Sequence, residues 1–529
     1  MTGRFKSLAL ILLTIFMVAS IPESNAQNNI SEKKPCNDAQ IKGLNLQNVL
    51  PLNEWSKTKH VLKCGDLKLR YSANTGVLPV NIGKEAPECR IFFINYDVED
   101  KQKASRPLVF VFNGGPGASS AYLHLGVLGP KRINMTESGN FPSPPGRLSD
   151  NIYTWLRFTD LVFIDPVGTG YSRCLPLKCS AEKNDAEAKV WGVREDLTSL
   201  AKFIRLYLTR TNRWLSPKFI AGESYGGFRV GALSEMLQSE YGIALNGVVL
   251  VSPALEFGLL SKDDYRLLPW IVNIPSYNAT ARYHGKVEGE ISRKENLRIA
   301  LKEAESFALK ELLPALAMGD TGALNGRLSA YIGISADRVA RMKARIPSSL
   351  YVKALLRDTG RLISLYDGSF AAIDPDPPSP FPTKGDPLLI QLNTLLTAGM
   401  NSYVREQLKF ETDISYEVLN KEVSKKWNWK SGLKWEQGFV GVAGSLKSSM
   451  SMNKDLKAFI AHGVFDLVTP YFGSVIVTRQ MSLDPAITGN LTLKVYEGGH
   501  MFYTHAQSRE AFFKDARRFF QQAVTQTLP

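Results

Sequence analysis

The stretch Ile220-Ala-Gly-Glu-Ser-Tyr-Gly-Gly227 constrains this chain more than any other, because a buried strand there gives way to a helix within a few residues. The apolar run Pro217-Lys-Phe-Ile-Ala221 has the character of an interior parallel strand. From Tyr225 to Gln238, Phe228, Val230, Leu233 and Leu237 recur at helical spacing. Between the two, Gly222-Glu-Ser-Tyr-Gly226 is a G-x-S-x-G pattern. Such an elbow lifts a serine hydroxyl above a sheet on strained backbone, and small residues two positions to either side leave room for it. In a chain with 41 glycines the competing reading is a chance loop or phosphate turn, but the strand before and the helix after favour a nucleophile at Ser224.

The neighbouring segments extend the same pattern. Pro107-Leu-Val-Phe-Val-Phe112 is a buried strand that empties into Asn113-Gly-Gly-Pro-Gly-Ala-Ser-Ser120, and Asp160-Leu-Val-Phe-Ile164 leads into Asp165-Pro-Val-Gly-Thr-Gly-Tyr171. A helical pattern runs from Ala186 to Leu208, and Gly247-Val-Val-Leu-Val251 is another short buried strand. Strands alternating with helices predict an α/β sheet that is mostly parallel. Leu67 to Tyr71 and Arg90 to Tyr96, with Gly76 and Gly83 between them, predict an antiparallel pair. From Leu255 to Lys447 the patterns are mainly helical, broken by the stiff loop Asp374-Pro-Asp-Pro-Pro-Ser-Pro-Phe-Pro382, which reads as part of a lid in preference to a proline-rich docking motif. Strand character returns at Leu456 to Ala461 and Leu491 to Tyr496. The expected organisation is a signal peptide over 1–26, an N-terminal extension over 27–66, a sheet core over 67–254 and 448–529, and a helical cap over 255–447.

With 529 residues, 44% of them hydrophobic and 22% charged, the chain is globular. Arg4 and Lys6, the apolar run Leu8 to Val18 and the small residues Ser24-Asn25-Ala26 predict export with cleavage. No later stretch is apolar enough to span a bilayer, so no stable membrane insertion is expected after cleavage. Removal of Arg4, Lys6 and Glu23 takes the formal charge from +14 to +13. Without a helix-turn-helix, zinc finger or aromatic-basic motif, that surplus reads as a solvated basic surface and not as a nucleic-acid site. Five cysteines leave an odd one. Cys174 and Cys179 could close a small loop and Cys64 could meet Cys89, leaving Cys36; an all-reduced set stays open. No Cys and His spacing resembles a zinc site, and neither a metal nor a cofactor is expected.

A serine needs a base to take its proton and an acid to hold that base in the right tautomer. Chains with this elbow carry them in the order serine, acid, histidine. Of the histidines after Ser224, His284 reads as a cap or surface residue, His462 precedes the best acid, and His505 falls in a polar, exposed stretch. His500, in Tyr496-Glu-Gly-Gly-His-Met501, follows a strand through glycines that allow the ring to turn back over the sheet. Asp466, in Ala461-His-Gly-Val-Phe-Asp-Leu-Val-Thr-Pro470, suits the acid, with Asp484 in reserve as a plain turn residue. Ser224, Asp466 and His500 are therefore a candidate triad, against separate structural roles for each. For an oxyanion, the amide of Tyr225 and the loop Gly114-Gly115-Pro-Gly117 are the available donors. That loop lacks the spacing and the Lys-Ser/Thr ending of a phosphate cradle.

Asn113 to Ser120, Gly222 to Gly227 and Glu497-Gly-Gly-His-Met501 together resemble the serine carboxypeptidases, and Asp165 to Ser172 fits a further loop of that family. Tyr283-His-Gly-Lys286 resembles its bacterial branch. The resemblance implies an α/β-hydrolase fold with a helical cap, and release of the C-terminal residue of a peptide through an acyl-enzyme on Ser224. It implies Asp466 and His500 as partners of the serine, Gly115 and Tyr225 as oxyanion donors, and Asn113, Gly114 and Glu223 as the holders of the substrate's carboxylate. A carboxylate facing Glu223 requires a shared proton, which implies a preference for acidic pH; the bland alternative for Glu223 is a helix-start acid favoured by the dipole. Three positions depart from the family: Val111 stands where tryptophan is common, Ala118 where a disulfide cysteine is usual, and Val127 near an expected glutamate. An esterase, amidase or acyltransferase on the same triad is the nearest competitor, and an inert exported binding module is the competitor from another class.

Overall fold

The computed structural model describes residues 49–525 apart from 53–54, 65–66, 84–85, 100–104, 176–186, 288–295 and 431–437. The expected signal peptide, Cys36 and Cys179 lie outside the described residues. The strands are β1 Ser56–Cys64, β2 Leu67–Asn81, β3 Glu88–Val98, β4 Leu108–Phe112, β5 Lys131–Ile133, β6 Leu148–Asp150, β7 Asp160–Ile164, β8 Arg173–Cys174, β9 Lys218–Glu223, β10 Gly247–Val251, β11 Arg361–Ile363, β12 Ala371–Ile373, β13 Lys457–Gly463 and β14 Leu491–Tyr496.

Ten of them form one sheet in the order β1-β2-β3-β7-β4-β9-β10-β13-β14, with β8 paired to β3. From β7 to β14 every neighbouring pair is parallel, while β1, β2 and β3 form an antiparallel margin joined to β7. The apolar runs of β4, β7, β9 and β10 are continuous because both faces of the sheet are covered. Along β4, Leu108, Phe110 and Phe112 enter one core with the helices Val193–Thr211, Tyr225–Tyr241 and Ala443–Met452. Val109 and Val111 enter the other, with the helices Pro387–Ser402 and Ala506–Thr525. This is the α/β-hydrolase fold, and its chemistry belongs at the carboxyl ends of the parallel strands.

Four expectations need correction. The sheet begins at Ser56, inside the stretch assigned to an N-terminal extension, because β1 pairs with β2 along its whole length. Gly76 is not a break: β2 runs through it, and a Cβ there would stand 2.5 Å from the Trp55 ring, which packs onto the bare backbone. Cys89 is bonded to Cys174 and to neither expected partner, because β8 sets the two directly opposite each other on β3. The core resumes before 448, since the helix Ala443–Met452 packs on Tyr225–Tyr241.

The insertion leaves and re-enters the core at one place, where Glu256 bridges Gly441 and the Val442 amide donates to the Leu255 carbonyl at 2.9 Å. Within it, the proline-rich loop is pinned by Lys353, whose buried ammonium meets the Asp374 carboxylate and donates to the Asp376 carbonyl.

Candidate active site

Five loops converge at the carboxyl ends of β4, β7, β9, β13 and β14. At the end of β9, Ser224 adopts φ 63° and ψ −122°, the strained conformation expected of a nucleophile elbow. Its amide donates to the Val251 carbonyl at 2.9 Å, which ties the elbow to β10. The flanking glycines are steric requirements: a Cβ on Gly222 would lie 2.2 Å from the Gly226 carbonyl oxygen, and one on Gly226 would lie 2.7 Å from that of Phe112. From Ala221 to Val230 every residue is buried except Ser224, which is partly exposed.

Asp466 and His500 meet on the neighbouring loops. The His500 Nδ1 and Asp466 Oδ2 atoms are 2.7 Å apart, and both side chains are buried. Asp466 also accepts from the amides of Val468 at 2.8 Å and Thr469 at 3.0 Å and from the Thr469 hydroxyl at 2.7 Å. Burial alone would raise the Asp466 carboxyl, but His500 and these donors hold it below the usual range. Burial likewise works to lower His500, and the facing carboxylates of Asp466 and Glu223 outweigh it and raise the imidazole. Nδ1 engaged with Asp466 leaves Nε2 as the ring atom able to receive a serine proton.

A hairpin of the insertion between β11 and β12 holds the His500 loop. The Tyr366 carbonyl accepts the His500 amide at 2.5 Å, the Asp367 carboxylate accepts the Gly499 amide at 2.9 Å, and the Gly368 amide donates to the Phe465 carbonyl at 2.9 Å. The Tyr366 ring stands edge-on to the imidazole, and the Ser252 hydroxyl donates to the His500 carbonyl at 2.7 Å. His505, expected to be exposed, is instead partly buried and pairs with Asp367 at 3.2 Å, because the turn after His500 folds it back under this hairpin.

The glycine loop lies directly against the elbow. A Cβ on Gly114 would come within 2.4 Å of the Tyr225 amide nitrogen and 2.7 Å of the Glu223 carbonyl, so only glycine allows this approach. Gly115 has φ 99°, and the Ala118 amide donates to the Gly114 carbonyl at 3.0 Å. Without a cysteine at Ala118, the loop is stitched to the insertion: Ala118 bridges Leu419, the Asn420 amide donates to the Gly117 carbonyl at 2.8 Å, and Ser424 donates to the Pro116 carbonyl.

Glu223 is buried beside Ser224. It accepts from Asn113 Nδ2 at 2.5 Å and from the Tyr503 hydroxyl at 3.0 Å to each oxygen, while Asn113 Oδ1 is fixed by the Leu123 amide at 3.0 Å. Burial pushes the Glu223 carboxyl up to about 7, against the lowering influence of His500 and of its two donors. Val127, near the position of the expected glutamate, is apolar and buried in the short helical turn His124–Leu128.

The remaining candidates have structural partners. His462 Nε2 meets the Ser474 hydroxyl at 2.8 Å in a buried setting that lowers its imidazole to about 4. His284 ends the helix Ile274–Tyr283 and meets the Gly368 carbonyl at 2.8 Å. Asp484 caps the turn Pro485–Thr488. Among the described residues no cluster of His, Cys, Asp and Glu could hold a metal, and no helix is long and apolar enough to cross a membrane. Thr469, three residues after Asp466 in the same segment, escaped the sequence reading; Ser252, Tyr366, Asp367 and Tyr503 act through contacts between distant segments and carry no local motif.

The sheet and its covering helices have the α/β-hydrolase architecture, and Ser224, Asp466 and His500 stand on loops at the carboxyl ends of its parallel strands. Residues 68–262 match the family model described as serine carboxypeptidase. That segment contains Asn113, Glu223 and Ser224, whereas Asp466 and His500 lie beyond it. In Arabidopsis thaliana, serine carboxypeptidase-like 45 is 26% identical over 248 residues, covering 43% of this chain and 49% of that protein. Serine carboxypeptidase-like 9 of the same plant is 31% identical over 196 residues, covering 35% and 40%. The chain thus spans half or less of the length of these relatives. Among solved structures, Kex1(delta)p, a prohormone-processing carboxypeptidase from Saccharomyces cerevisiae, superposes with a TM-score of 0.52 at 16% identity, covering 85% of this chain and 91% of that one.

Proposed function

We propose that the chain is an exported serine carboxypeptidase that removes the C-terminal residue of peptides. The carrying observation is the buried Glu223–Asn113 pair beside a strained, partly exposed serine: a carboxyl held up to about 7 and an amide donor are suited to a carboxylate ligand. In this reading Asn113, Gly114 and Glu223 seat the free C-terminus. His500 takes the proton of Ser224 as its oxygen bonds to the scissile carbonyl carbon, and then delivers that proton to the departing amine. The amides of Gly115 and Tyr225 hold the oxyanion, and water, deprotonated by His500, releases the acyl group. Asp466 keeps the imidazole oriented. The Tyr283-His-Gly-Lys286 segment supports placing the chain in the bacterial branch, and the leader-like first residues support a periplasmic or secreted location.

The pH dependence follows from the two raised groups. The competent enzyme needs Glu223 protonated and His500 neutral, so one proton is shared between coupled sites and must reside on Glu223. Recognition of the free carboxylate is present below a pH of about 7 and is lost as pH rises through it; base catalysis is lost as pH falls through the raised value of His500. We expect a blocked dipeptide acid to be cleaved far better than its C-terminal amide near pH 5, with that preference fading toward pH 8. Equal cleavage of acid and amide at every pH would favour an esterase or amidase instead, as would turnover of the acid that climbs steadily from about pH 5 to about pH 8.

A further inference from the structure

We propose that Tyr503 is a positioning residue for the carboxylate-binding site: its phenol fixes the orientation of Glu223 against Asn113 and helps decide whether Glu223 holds the shared proton. The inference rests on the carboxypeptidase reading and adds to it a residue that is far along the chain from the other site residues except His500.

Tyr503 sits three residues beyond His500 in the short turn Phe502–Thr504, so the segment that delivers the base also delivers this hydroxyl. The side chain is buried, and its oxygen is 3.0 Å from each oxygen of Glu223. The ring has little freedom. Gly126 packs on it so closely that a Cβ there would lie 2.8 Å from Tyr503 Cε2, and the carbonyls of Tyr503 and Thr504 accept from Arg509 at 3.0 and 3.1 Å. The bare residue at 126 and the apolar Val127 belong to the turn near which the family resemblance expects a glutamate, and the phenol reaches Glu223 past that turn.

The chemistry explains why a phenol suits the position. Asn113 Nδ2 can only donate, whereas a phenol donates to a carboxylate and accepts from a carboxylic acid, so Tyr503 can partner Glu223 in either protonation state. A second carboxylate there would have to share a proton with Glu223 or repel it. The charged and titratable groups that Glu223 feels are His500 and Asp466, together with the phenols of Tyr503, Tyr122 and Tyr366. Of the two side chains that donate directly to Glu223, neither carries a charge. Donation from Tyr503 favours ionised Glu223, so removing the hydroxyl lets Glu223 keep its proton to higher pH.

The test is the pH profile of kcat/KM for a blocked dipeptide acid in Tyr503→Phe, with thermal melting to establish that the variant is folded. The alkaline limb should move upward by roughly half a unit to one unit, and KM at pH 5 should rise several-fold as Glu223 loses its anchor. In a Glu223→Gln background the same change should move no limb. An unmoved limb in folded Tyr503→Phe, or an equal shift in the Glu223→Gln background, overturns the proposal. Gly126→Ala, whose methyl would displace the ring, provides a second route should Tyr503→Phe not fold: an upward shift supports the proposal and an unmoved limb refutes it. A wild-type enzyme that does not distinguish peptide acid from amide would instead remove the carboxypeptidase reading itself.

Discussion

Asp466→Asn is expected to lower kcat by about 10⁴-fold with the fold intact and KM nearly unchanged. The asparagine oxygen can still accept the amides of Val468 and Thr469 that Asp466 holds at 2.8 and 3.0 Å, so the loop keeps its shape. The amide nitrogen then faces His500 Nδ1, now 2.7 Å from a carboxylate oxygen, and donates to it. That donation moves the imidazole proton to Nε2, the atom needed to receive a proton from Ser224, and it removes the negative charge that stabilises the imidazolium. Steady-state kinetics on a peptide acid, with circular dichroism as the check on folding, decides the matter. A loss of less than about tenfold would mean that Asp466 does not serve the base.

Gly114→Ala should produce the other large effect, a loss of roughly 10²- to 10³-fold in kcat. Its methyl would meet the Tyr225 and Gly226 amide nitrogens at 2.4 and 2.6 Å and the Glu223 carbonyl at 2.7 Å, all backbone atoms that cannot rotate away. The glycine loop must therefore lift off the elbow. The proposed oxyanion donors at Gly115 and Tyr225 separate, and Asn113 shifts relative to Glu223. Stability should suffer far less than rate, because the backbone ties from Gly117 and Ala118 to the insertion lie beyond the point of collision. Unchanged kcat in Gly114→Ala would argue against this loop as part of the oxyanion site.

The parallel half of the sheet was legible because β4, β7, β9 and β10 are short, largely apolar runs, a pattern set by burial on both faces, and the first three end in glycine-rich or Asp-led loops. The elbow was legible for a steric reason, since Gly222 and Gly226 leave no room for side chains. What the sequence hid depends on tertiary context. Gly76 has the look of a turn, and only the Trp55 ring lying over it shows that the strand continues. The Cys89–Cys174 bond depends on the register of β8 against β3, which spacing does not encode. The role of the insertion was the least visible. It reads as a lid, yet Tyr366 holds the His500 loop and Asn420 the glycine loop through backbone contacts that carry no side-chain signature, and the Asp367 carboxylate holds Gly499 from more than a hundred residues away.

The proposed mechanism requires Ser224 to be a nucleophile activated by His500. Reaction of the folded protein with a fluorophosphonate probe, followed by peptide mapping, puts this requirement to the test. A single adduct on Ser224 is expected, greatly slowed in His500→Ala and absent in Ser224→Ala. An adduct on a different serine, or a folded wild-type protein that takes up no probe, would contradict it.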